Sequence, residues 1–127
     1  MALTGIRSVS VYVNDVDRAL DFYTNKLGFH KHDDSVFPYE GRDLRWVTVT
    51  IGDSGIDLVL IKGFAGWTPE SVGKSPGIVF SVEDIVGTFK QLEANGVTIT
   101  EQPNGQEWGL QGQFVDSEGN SYVVVGQ

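Results

Sequence analysis

The chain has no cysteine among its 127 residues, so disulfides, thiol nucleophiles and thiolate metal sites are all excluded. Basic residues are scarce as well: nine Lys and Arg stand against 17 Asp and Glu, for a formal charge of −8. Nucleic-acid binding needs a lysine- or arginine-rich surface, so this balance argues against nucleic acid as a partner and against an anionic membrane. No apolar run is long enough to cross a bilayer and no signal-peptide pattern occurs, which leads us to expect a soluble cytoplasmic protein. Prolines number only four against 16 glycines, and 40% of residues are hydrophobic. That composition suits a folded, turn-rich globular chain, and the length suits a single domain over residues 1–127.

What is present is a repeat. Val13-Asn14-Asp15-Val16, opening a helical pattern that closes at Leu27-Gly28-Phe29, returns as Val82-Glu83-Asp84-Ile85, whose pattern closes at Asn95-Gly96-Val97. Gly55-Ile56-Asp57-Leu58-Val59-Leu60 is echoed by Gly119-Asn120-Ser121-Tyr122-Val123-Val124. The echoes keep chain order at offsets of 69 and 64 residues, the pattern of a tandem duplication. Half-sheets duplicated in this way commonly build a cleft at their junction.

Period-two alternation predicts a first strand over residues 6–13, with Val9, Val11 and Val13 on one face and Ser8, Ser10 and Tyr12 on the other. Asp15 then caps a helix whose Val16, Ala19, Leu20, Tyr23 and Leu27 recur at three- and four-residue spacing. Further strands are predicted over residues 29–37, 44–51 and 56–62, the last two joined by Gly52-Asp53-Ser54-Gly55. Residues 63–76, with three glycines and two prolines, form a connection. The scheme then repeats: a strand over 77–82, a helix capped by Asp84 that turns Ile85, Phe89 and Leu92 inward, and strands beginning at Val97, at Leu110 and at Ser121. The expected fold is α+β: two tandem β-α-β-β-β modules, residues 5–62 and 77–127, with helices on the outer face of curved mixed sheets that enclose a cleft.

The Asn14-Asp15 cap, the Ala19, Phe22 and Tyr23 of the first helix, its Lys26-Leu27-Gly28-Phe29 ending, and Asp116-Ser117-Glu118-Gly119-Asn120 near the C-terminus resemble the glyoxalase/bleomycin-resistance/dioxygenase family, the vicinal oxygen chelate superfamily. The resemblance implies a family of metal-dependent isomerases, lyases and dioxygenases alongside metal-free proteins that sequester antibiotics. Metal-dependent members carry one ligand on each first strand, seven residues before the capping Asp, and one on each last strand, four residues after the turn glycine. Carried over residue by residue, those positions are Ser8, Gly77, Val59 and Val123. Serine is a poor neutral donor, glycine has no side chain and valine presents hydrocarbon. The family's usual metal site is therefore not expected, and no cofactor is. A register shifted by two would offer Asp57, a single carboxylate.

Parity and composition nominate the cleft-facing ligand contacts: Ser8, Ser10, Tyr12, Trp46, Thr48, Val59, Gly77, Trp108, Gln111, Gln113 and Val123. Trp46 and Trp108 have burial in a core as their ordinary alternative, whereas Trp67 lies in a connection with no periodic pattern to pack against. Gln111 and Gln113 present amides, which orient a ligand without requiring catalysis. His30 and His32, the only histidines, would project from one face as residues i and i+2 of a strand, near Asp33 and Asp34; a solvated edge strand is their ordinary account.

Three functions remain open. The first is a metal-free homodimeric protein that binds a planar or cationic small molecule, as the bleomycin-resistance-like members of the family do. The second is a lyase, isomerase or dioxygenase of the same fold. It would use an unconventional metal site through His30, His32 or Asp57, or acid–base chemistry at Glu101, Glu107 or Tyr12. The third is a scaffold without a ligand.

Overall fold

The computed structural model describes residues 2–127 and divides into two compact units, residues 1–71 and 72–127. Each unit repeats one architecture, a four-stranded mixed sheet with a helix packed on one face. The first unit comprises β1 (Ser8–Tyr12), α1 (Val16–Asp21), β2 (His30–Tyr39), β3 (Arg42–Thr50) and β4 (Asp57–Ile61). Its strand order is β1-β4-β3-β2, with β1 parallel to β4 and the other pairs antiparallel. The second unit comprises β5 (Val79–Val82), α2 (Ile85–Ala94), β6 (Thr98–Gln106), β7 (Gly109–Val115) and β8 (Ser121–Gly126), in the order β5-β8-β7-β6. No helix among the described residues is long and apolar enough to cross a membrane.

The alternation of β1 places its residues as expected. Val11 and Val13 are buried under α1 with Val47, Val49, Leu58 and Leu60, while Ser8 and Ser10 are exposed. Asp15 caps α1 by accepting a 3.0 Å bond from the Arg18 amide, and Asp84 caps α2 from the Gly87 amide at the same distance. α2 buries Ile85, Phe89 and Leu92, as its spacing predicts. It closes in a Schellman arrangement, with the Val97 amide on the Leu92 carbonyl, the Gly96 amide on that of Glu93, and Gly96 at φ +83°.

Three segments depart from the sequence pattern. The first helix does not continue as α beyond Asp21: Phe22–Lys26 widens into a π turn, closed by the Leu27 amide on the Phe22 carbonyl at 3.2 Å. Phe22 and Tyr23, three and four residues after the buried Ala19, both pack into the core. The sixth strand runs on to Gln106 through Pro103, tolerated there because β6 is an edge strand and its pairing with β7 is interrupted twice, between Ile99 and Glu101 and between Glu101 and Asn104. In β2 the ladder slips between Lys31 and Asp33, leaving His32 as an unpaired extra residue. His32 nonetheless meets Asp57 on the side where His30 lies beside Thr50, so the two histidines share one face as their spacing predicts.

The Asp116–Asn120 turn is a structural device. Asp116 Oδ1 accepts the amides of Glu118 and Asn120, both at 2.8 Å, and Oδ2 accepts Asn120 Nδ2 at 3.0 Å. Asn120 Oδ1 in turn accepts the Gly73 amide at 2.8 Å, tying the start of the second unit to the turn before β8. Both side chains are buried and fully hydrogen-bonded, which accounts for two polar residues in an otherwise apolar interior.

Candidate functional site

With α1 on one face of the first sheet, the other face carries no helix. Its lining follows from the strand registers: Ser8, Ser10 and Tyr12 of β1 lie beside Asp57, Val59 and Ile61 of β4, and Thr48 and Thr50 of β3 lie beside Val59 and Asp57. Across β2, Ser35 pairs with Trp46, Phe37 with Leu44 and His30 with Thr50. Six of the nominated contacts therefore share one face: Ser8, Ser10, Tyr12, Trp46, Thr48 and Val59. They are not equally available. Thr48 and Val59 are each 2% exposed and offer almost no surface, and the Thr48 hydroxyl already accepts the Asp33 amide at 3.1 Å. Tyr12 donates its hydroxyl to the Ala65 carbonyl, holding the loop after β4 down. Trp67 completes that clasp, its indole N–H donating to the Val13 carbonyl at 2.8 Å, so this tryptophan anchors a connection and is not an exposed stacking platform.

One end of this face is aromatic. Trp46, 38% exposed, faces Phe64 at 6.4 Å between ring centroids, and Phe64 meets Phe37 edge-on at 5.1 Å. Phe37 is also edge-on to Tyr39 at 6.4 Å. Together with Ser35 these rings wall a cavity of about 340 Å³ that contains no charged side chain. Of its lining residues only Trp46 was nominated from sequence. Phe37 and Tyr39, two residues apart on a strand, were a usable signal. The Glu40-Gly41 turn folds them back beside Trp46, with both turn residues at positive φ in the two-residue geometry that keeps the strands in register. Phe64 arrives from the connection and has no local signal.

The opposite end is polar. His32 Nδ1 lies 2.6 Å from Asp57 Oδ2, and Thr50 Oγ1 donates to Asp57 Oδ1 at 2.8 Å, so both carboxylate oxygens are engaged. The hydrogen bond to Asp57, and then the charge of Asp57, raise the His32 pKa above its ordinary value. Burial alone would raise the Asp57 carboxyl, but its bonds from His32 and Thr50 and the nearby positive charge outweigh that effect and hold it low. His30, which lies by register beside Thr50, takes part in no metal cluster: among the described residues no three His, Asp or Glu side chains converge.

The remaining nominated residues belong to the second unit. Val123 and Gln113 pair across β8 and β7 on the helix-free face, with Gln111 two residues along and Val79 of β5 beside Val123. Gln111 Nε2 donates to Glu101 at 3.1 Å, which occupies part of its amide. Gly77, at φ +78°, precedes β5 and is exposed, and Trp108 stands at the β6–β7 turn, 64% exposed. Neither tryptophan nominated for the site is a core residue. A second hollow of about 420 Å³ runs between α2 and β6, along Val86, Phe89, Lys90, Glu93, Gln102 and Pro103. Gln102 and Glu93 bond to each other across it, and its floor is the seam where Phe89 packs.

The donor set expected of the family's metal does not fit. Of Ser8, Val59, Gly77 and Val123, three carry no donor atom on the side chain and the fourth is a neutral hydroxyl, so no chemistry is derived through a metal.

Comparison with known proteins gives a consistent result. The family model described as Glyoxalase/Bleomycin resistance protein/Dioxygenase superfamily matches residues 5–124. Protein YetH of Bacillus subtilis (strain 168) is 34% identical over 119 residues, which are 94% of this chain and 95% of the relative. Among solved structures, TnmS3, an antibiotic binding protein from Streptomyces sp. CB03234, aligns with a TM-score of 0.82 at 28% identity, covering 99% of this chain and 98% of that one. A superfamily member from Sphaerobacter thermophilus DSM 20745 aligns with a TM-score of 0.84 at 31% identity, covering 98% of each chain.

Proposed function

This chain belongs to the glyoxalase/bleomycin resistance protein/dioxygenase superfamily, and from that membership we propose that it is a metal-independent small-molecule-binding protein, sequestering a planar or cationic ligand as a cytoplasmic homodimer. The observation that carries the reading is the cavity of Ser35, Phe37, Tyr39, Trp46 and Phe64. Its volume of about 340 Å³ is in the range that holds a drug-sized ring system, and aromatic walls whose polar groups are the Ser35 and Tyr39 hydroxyls and the Trp46 indole favour stacking over chemistry. The likeness to TnmS3, an antibiotic binding protein, supports the same reading. So does the weak donor set at Ser8, Gly77, Val59 and Val123, one neutral hydroxyl and three side chains without a donor, where a metal-dependent relative needs ligands.

Of the other nominated contacts, Ser10 lies on the same face of the first sheet, in the row of Val59 and Thr48. Leu3 and Ile6, exposed on the approach to the edge strand β1, give the first unit apolar surface for a second copy to cover. The test is a titration of tryptophan emission with bleomycin and a panel of planar polycyclic compounds that carry cationic, neutral and acidic groups. Saturable change is expected for at least one planar compound, because Trp46 forms a wall of the cavity; a flat response across the panel overturns the proposal.

A further inference from the structure

The helix-free face of the first sheet has two chemically different ends. At one, Trp46, Phe37, Tyr39 and Phe64 enclose the aromatic cavity; at the other, His32, Asp57 and Thr50 form a hydrogen-bonded row. Both ends lie along β3, on residues of the same parity: Trp46 at the aromatic end, Thr50 at the polar end, four residues on. At about 3.4 Å per residue the Trp46 and Thr50 positions are about 14 Å apart, the length of a polycyclic ring with a short tail that passes over the covered Thr48.

The polar end is built to offer one donor outward. Asp57 engages His32 Nδ1 and leaves Nε2 pointing away from the carboxylate, on a side chain that is 56% exposed. Thr50 takes the other Asp57 oxygen, so the carboxylate has no reason to turn toward an incoming ligand. The β2 bulge that leaves His32 out of the ladder is what brings the ring to Asp57. We propose that His32 is an anion-binding subsite that receives the carboxylate of a planar aromatic acid whose rings occupy the Trp46 cavity. This inference rests on the binding function proposed above and narrows its ligand to a flat ring system with an acidic tail.

The charged surroundings agree. Asp57 on β4 and Asp33 on β2 favour the protonated imidazole, Arg7 ahead of β1 acts in the opposite sense, and His30 stands beside Thr50 by register. A protonated His32 against Asp57 is a neutral pair that still presents an N–H, and the Arg7 charge works against the repulsion of an incoming anion by Asp33.

Three pyrene probes that share a ring system and differ only in the tail test the proposal: pyrenebutyrate, pyrenebutanol and pyrenebutylamine, titrated against the whole protein at about pH 6 and about pH 9. Pyrenebutyrate is expected to bind about tenfold more tightly than the alcohol at the lower pH, with the preference falling to about twofold or less at the higher pH. In His32→Gln the preference should disappear at both pH values while the alcohol keeps its affinity. Asp57→Asn should shift the loss of preference to lower pH. Equal binding of acid and alcohol, or a preference that survives in His32→Gln, overturns the His32 subsite and leaves the aromatic cavity standing. Absence of binding by all three probes overturns both.

Discussion

Gly112→Ala should destabilise the second unit through one contact that can be removed independently. Gly112 is buried in β7, and a methyl group there would stand 2.5 and 2.7 Å from two ring carbons of Phe89 and 3.1 Å from the Glu101 carbonyl oxygen. Carbon atoms pack at about 3.5–4.0 Å, so the ring would have to withdraw by about 1 Å. Phe89 is 2% exposed and has little space to do so. Overpacking of this kind costs about 1–3 kcal/mol, of which alanine recovers about 0.5–1 kcal/mol in a strand, leaving a net loss of about 1–2 kcal/mol. For a chain of this length the midpoint of thermal unfolding should fall by roughly 3–8 °C, measurable by circular dichroism. Phe89→Leu removes the clashing ring carbons. In that background the further penalty of Gly112→Ala should shrink to below about 0.5 kcal/mol. The same penalty in both backgrounds, or no change in midpoint, would refute the reasoning.

Two further outcomes follow from the hydrogen bonds. Asp116→Ala strips three acceptor contacts from the turn before β8, those made to the Glu118 and Asn120 amides and to Asn120 Nδ2, at a cost of about 2–4 kcal/mol in urea unfolding; Asp116→Asn should recover part of it. The His32–Asp57 pair makes stability depend on pH from both sides. With His32 raised, its contribution is complete below the unfolded histidine value near 6.5 and fades as pH rises through the folded one; with Asp57 lowered, its contribution is complete above the unfolded value near 3.8 and fades as pH falls through the folded one. The stability difference between the natural chain and Asp57→Asn should therefore be largest between those two values and decline on either side, and a flat difference from acid to alkaline pH would contradict it.

The elements that follow a single period were legible in the sequence. Val9, Val11 and Val13 announced the buried face of β1, and Ile85, Phe89 and Leu92 that of α2, because burial on one face leaves a period of two or 3.6 residues in the chain. The duplication supplied an internal alignment, and both halves fold with the same strand order. What escaped was every place where an extra residue breaks the period. The π turn after Asp21, the bulge at His32 and the two interruptions of the β6 ladder each add residues that no repeating pattern marks. Phe64 reached the aromatic cavity from a connection whose conformation depends on Tyr12 and Trp67, more than 50 residues away in one case and in the loop itself in the other. Such long-range placements leave no local pattern. The loop tryptophan Trp67 illustrates the reverse: it has no periodic pattern to pack against, yet its indole nitrogen is committed to the Val13 carbonyl.

The central claim is that the aromatic cavity of the first unit holds a planar ligand, and equilibrium dialysis of the natural chain beside Trp46→Ala tests it most directly. Trp46 is 38% exposed and forms one wall of the cavity, so its removal should leave the fold intact. The account predicts saturable binding of a planar polycyclic compound by the natural chain, weakened about five- to thirtyfold in the variant, as the loss of about 1–2 kcal/mol of stacking requires. Equal affinity in the two proteins would contradict it.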